Sequence, residues 1–79
     1  MNGVPQWLRK DLAAASDAQL EEAFGAMSVA SDTLDSAPDG AWWMQVQDAG
    51  ETCLREVHGV TVHGFDLMQA WTYWKEAKA

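Results

Sequence analysis

Seventy-nine residues hold five Lys and Arg against twelve Asp and Glu, a formal net charge of −7, with 48% apolar residues. That length admits one small domain, the apolar fraction is too high for a disordered acidic tail, and the sign of the charge excludes nucleic-acid binding by counterion release. No apolar run approaches the roughly 18 residues of a transmembrane helix, Met1–Lys10 lacks an apolar secretory core, and the single Cys53 has no intrachain disulfide partner. Together these predict a cytoplasmic chain with no membrane partner.

In chain order, Pro5 suits a first helical residue, because its missing N–H would be unpaired there. A short helix over 5–14 follows, with Trp7, Leu8 and Leu12 inward. Ser16-Asp-Ala-Gln19 is a capping box, and Asp17 suits the positive end of the dipole behind it. Leu20, Ala23, Phe24, Met27, Ala30 and Leu34 recur at spacings of three and four, the helical period. The spacing predicts a helix over 17–34, with a break near 28–32 left open by Gly25 and the Ser28–Thr33 stretch. Ser36-Ala-Pro-Asp-Gly40 is a turn and a helix start.

Trp42, Val46, Ala49, Cys53 and Val57 then predict a helix ending at Gly59, a C′ glycine. The alternation of Trp42, Met44 and Val46, with a turn at Asp48–Glu51, keeps a hairpin in residues 41–57 as the alternative. A glycine-bounded loop leads to a last helix over 65–78, carrying Leu67, Met68, Trp71 and Trp74 inward. The fold expected is therefore an all-α compact bundle of three to four helices forming a single domain, or an α+β variant with that hairpin. The expected core is Leu12, Leu20, Phe24, Met27, Leu34, Val46, Cys53, Leu54, Val57, Leu67, Trp71 and Trp74. Five tryptophans, each able to bury roughly 150–250 Å², substitute for the disulfides or metals that stabilise many chains of this size.

The charge is unevenly placed. Between Lys10 and Arg55 no Lys, Arg or His occurs, while nine carboxylates do. On a helix starting at Asp17, Glu21 falls near 40°, Asp32 near 60° and Asp35 near 0°, about a quarter-turn from Leu20, Met27 and Leu34. This stripe, about 27 Å long if the helix is continuous, has no cation three or four residues away to neutralise it. Such a stripe either solvates a helix face or forms a docking surface that steers a basic partner. The candidate partner-binding residues are Asp17, Glu21, Asp32, Asp35 and Asp39, with Trp42 and Trp43 as apolar anchors beside them.

Other chemistries find little footing. Cys53-x4-His58-x4-His63 matches no usual zinc spacing, and Cys53 on an apolar helix face reads as an inert thiol. No glycine-rich phosphate loop is present. Asp35-Ser36 is followed by Ala37-Pro38 rather than the leucine of an acyl carrier protein. No catalytic residue, metal or cofactor is expected, and the chain reads as a non-enzyme.

In size, acidity, single compact domain and lack of an enzymatic motif, the whole chain resembles the small phage-encoded anti-CRISPR proteins. The resemblance implies an inhibitor, a DNA mimic acting by protein–protein interaction in the bacterial host cytoplasm. Its partner would be a basic surface of a CRISPR–Cas effector, with no direct nucleic-acid binding, and the acidic stripe would stand in for phosphates. Two alternatives stay open: a homo-oligomeric accessory or structural protein, and an acidic antitoxin covering a basic toxin.

Overall fold

A computed structural model describes residues 1, 3–34 and 41–79. Four α-helices carry the described chain: α1 (Gln6–Asp11), α2 (Asp17–Thr33), α3 (Ala41–Thr52) and α4 (Gly64–Lys78), with a π-helical turn, Cys53–Val57, prolonging α3. No strand occurs among the described residues, so residues 41–57 are helical and the hairpin alternative is excluded. Helix α3 packs against both α2 and α4, and α1 lies on α4. The body is flattened, 33 × 28 × 17 Å, so large aromatic side chains reach from the core to the surface.

Helix α1 is shorter than its sequence suggests. Pro5 stands at the N-cap rather than inside the helix. At the other end the N–H groups of Leu12 and Ala13 turn back to the Arg9 and Lys10 carbonyls (3.1 and 3.2 Å). This tight turn directs Leu12 and Ala15 into the core. Arg9 braces the turn's carbonyls: Nη1 donates to Leu12 O (3.0 Å), which also accepts Ala15 N–H (3.1 Å), and Nη2 donates to Ala15 O (2.9 Å).

Helix α2 starts on the expected capping box. Gln19 N donates to Ser16 Oγ (3.2 Å), and Ser16 N donates to Gln19 Oε1 (3.0 Å). The helix runs unbroken through Ser28, whose hydroxyl accepts the Trp71 indole N–H (3.1 Å). A tertiary partner therefore occupies the group that would otherwise compete with the helix backbone. The helix ends at its C-cap, Leu34, leaving that side chain half-buried.

Beyond Thr52 the widened π turn shifts the inward-facing register. Leu54 is fully buried, Cys53 is half-buried, and Val57, expected inside, is 63% exposed. The step of four from Cys53 to Val57 keeps one face only at 3.6 residues per turn; a π turn bonds one residue further back and breaks that count. Gly59 terminates the segment with φ +66°. Its N–H reaches Arg55 O (3.0 Å) and that of Val60 reaches Leu54 O (2.9 Å), a broad version of the left-handed glycine cap.

The core comprises Val4, Leu8, Leu12, Ala15, Leu20, Ala23, Phe24, Met27, Val46, Leu54, Leu67, Ala70 and Trp71, with no charged or polar residue among them. Trp74, expected inside, is half-buried, its ring 5.3 Å from that of Phe24. At Gly50 the three long helices close together: a side chain there would meet Met27 of α2 and Leu67 of α4. Gly64 likewise leaves room at the start of α4 for Glu51 and Gln47, which places a carboxylate at the positive end of that helix.

Candidate protein-binding surface

Helix α2 carries Asp17, Glu21, Glu22 and Asp32 and no cation. At 1.5 Å per residue its carboxylates span about 22 Å from Asp17 to Asp32. The expected stripe reached further, to Asp35 and Asp39, which lie outside the described residues.

Three of the four carboxylates on α2 have partners. Asp17 Oδ1 accepts from Arg9 Nε at 2.8 Å, so the stripe's first member is neutralised by a cation from the preceding helix, eight residues earlier. Glu21 Oε1 accepts the Trp74 indole N–H (3.2 Å). Glu22 Oε2 is hydrogen-bonded to His58 Nε2. Asp32 differs: it is exposed, in the last turn of α2, and no cation of the described residues lies within ion-pairing distance. No basic residue occupies that turn. A carboxylate there faces the negative end of the helix dipole, an arrangement that costs about 0.3–1 kcal/mol at a surface site.

The two candidate tryptophans divide. Trp42 is half-buried against the core, its ring 6.1 Å from that of Trp71, and its indole N–H donates to Ser31 O (3.4 Å). Packing therefore occupies most of Trp42. Trp43 is 46% exposed beside Met44, 59% exposed. Of the predicted site residues, Trp43 and Asp32 are the exposed ones without a partner among the described residues; Asp17 and Glu21 are held in intramolecular contacts.

The fold also joins residues that sequence spacing keeps apart. Glu22 is hydrogen-bonded to His58, and its charge also acts on the Cys53 thiol. A Cys–His–carboxylate grouping invites a nucleophilic reading, but the thiol's proton affinity runs the wrong way. Burial, with the Glu22 charge as the smaller cause, pushes the Cys53 thiol above its ordinary value. The thiolate is the reactive form, so this environment disfavours it. No local pattern announces the contact, because Glu22 and His58 are thirty-six residues apart. Among the described residues no group of three or more His, Cys, Asp or Glu is placed to hold a metal ion, and no helix is long and apolar enough to cross a membrane.

Neither a protein-family model, nor a curated protein, nor a solved structure matches this chain.

Proposed function

We propose that this protein is an acidic inhibitor of the anti-CRISPR kind. In this reading the C-terminal half of α2, with Asp32 and the following Asp35 and Asp39, docks on a basic nucleic-acid-binding surface of a Cas effector and blocks DNA binding or cleavage. The protein acts by occupancy: it makes and breaks no bond and uses no cofactor. Trp43, exposed on α3, is the apolar anchor of this reading.

The observation that carries the reading is Asp32. A face that only needs solvation is served equally well by a Lys or Gln in that turn, and either would suit the dipole better. Retaining an unpartnered carboxylate there costs stability in a domain that has little to spare. A phosphate-binding groove offers that carboxylate Arg forks and Lys charges. The test is capture of purified, guide-loaded Cas effectors on the immobilised protein, washed at about 0.1 M and then 0.5 M salt, over which the screening length falls from about 10 Å to roughly half that. Capture at low salt with release at high salt supports the proposal; retention of no effector at low salt removes it.

A second reading, self-association, is favoured by the adjacent exposed Trp43 and Met44. It predicts a solution mass that rises with concentration in the absence of any basic partner.

A further inference from the structure

A groove of about 350 Å³ runs between α1 and α4, lined by Trp7, Gln69, Thr72, Tyr73 and Glu76. That volume lies within the range of small-ligand clefts, about 300–1,000 Å³. Its walls are held firmly. Val4 and Leu8 anchor α1 in the core. Gly3, at φ +84°, brings the chain so close to Tyr73 and Ala77 of α4 that no side chain would fit.

The lining has a definite chemistry. Trp7 and Tyr73 present two aromatic surfaces, 57% and 40% exposed. Glu76 adds a carboxylate with no ion pair among the described residues. Thr72 Oγ1 donates its proton to Met68 O (3.1 Å), so its lone pairs face outward as acceptors. None of the five lining residues carries a positive charge. At 100° per residue, Gln69, Thr72, Tyr73 and Glu76 share one face of α4, about 100° wide. Thr72, Tyr73 and Glu76 lie in its C-terminal half, toward the end where helix carbonyls lack partners and cations are favoured.

The rest of α4 supplies the contrast. Lys75 Nζ lies 4.0 Å from the centroid of Trp71, and Lys78 Nζ lies 4.8 Å from that of Trp74. The helix covers its two tryptophan rings with its own cations, whereas the exposed Phe65 at its start has none. The corresponding position four residues beyond Tyr73 is Ala77, so the chain supplies no cation there. Two aromatic faces, a carboxylate and hydroxyl and amide acceptors without a resident cation complement a planar guanidinium: it stacks on the rings and forks onto the carboxylate.

We infer that the α1–α4 groove is a binding site for an arginine side chain presented by a basic partner protein. The source of that side chain rests on the inhibitor reading above; the chemistry of the groove does not.

The experiment uses the isolated protein and a defined probe, Nα-acetylarginine amide, so its outcome is separate from whether any Cas effector binds. The five indole N–H resonances are followed in a nitrogen-15-labelled sample at low salt, with Trp7 assigned from Trp7→Phe. The expected result is a saturable shift of the Trp7 resonance with a dissociation constant of about millimolar, as befits a fragment of this size. The Trp42 and Trp71 resonances stay in place. Nα-acetyl-lysine amide binds at least threefold more weakly, and the exposed Glu76→Gln change weakens arginine binding at least fivefold while leaving the spectrum folded. The inference is overturned by no saturable shift up to about 100 mM, by equal movement of all five resonances, by equal lysine and arginine affinities, or by unchanged binding in Glu76→Gln.

Discussion

Replacing Gly50 with alanine tests the packing of the three long helices, because the same substitution at Gly25 should have the opposite sign. Both glycines lie inside helices, where alanine is favoured by about 1 kcal/mol. An ideal Cβ on Gly25 meets no atom within 4 Å, so Gly25→Ala should gain about 0.5–1 kcal/mol. On Gly50 the same atom would stand 2.8 Å from Met27 Cγ and 2.9 Å from Leu67 Cδ2, with Met27 Sδ closer still. The Met27 thioether can yield, but Leu67 is fully buried, and overpacking of this kind costs about 1–3 kcal/mol. Subtracting the propensity gain leaves a net loss of about 1 kcal/mol for Gly50→Ala. Urea unfolding at constant m-value resolves the pair, and in a domain this small each kcal/mol moves Tm by about 4–8 °C. If Gly50→Ala stabilises as much as Gly25→Ala does, the close approach of α2 and α4 over Gly50 is refuted.

Further perturbations address other contacts. Arg9→Lys should cost about 1–2 kcal/mol, because a lysine cannot hold the Leu12 and Ala15 carbonyls and Asp17 together. Asp17→Asn should cost less, since an exposed ion pair contributes about 0–1 kcal/mol; equal losses in urea unfolding would contradict the carbonyl-anchoring role of Arg9. Ser16→Ala removes one arm of the capping box and should cost about 1 kcal/mol, read as a lower midpoint by circular dichroism. The pH profile of Cys53 alkylation should have its midpoint above that of a cysteine in a short peptide. Glu22→Gln should recover less than half of the difference, because burial is the larger cause; a midpoint below the peptide's would overturn this. The folded chain holds that thiol proton more firmly, so its linkage lowers stability only as pH rises past the ordinary thiol range.

Local signals carried most of the fold. Ser16 and Gln19 announce the start of α2 through side chains that satisfy backbone groups three residues apart, and Gly59 announces the end of the third helical segment through a backbone conformation that suits glycine. Such devices act over a few residues and are visible in a linear text. The π turn has no comparable local cue, so a count of fours carried Val57 to the wrong side. Ala23 and Ala70 were absent from the expected core because small side chains add little to a hydrophobic pattern, although both are fully buried.

The acidic stripe was legible as composition and only partly as a surface. Periodicity placed Asp17, Glu21 and Asp32 on one side of α2. It did not show that Arg9 from α1 and Trp74 from α4 would take the first two. Tertiary contacts at long sequence separation decide which charges remain available, and they left Asp32.

The most direct test of the docking account measures stability and effector binding together in Asp32→Lys and in Asp32→Lys/Asp35→Lys. Reversing Asp32 places a cation at the negative end of α2 and relieves repulsion, so Tm should rise by a few degrees for a gain of about 0.5–1 kcal/mol. Binding to the captured Cas effector should fall at least tenfold at about 0.1 M salt, where charge-led contacts act over about 10 Å. A more stable variant that no longer binds is the predicted result; a variant that binds as tightly as the parent contradicts the account.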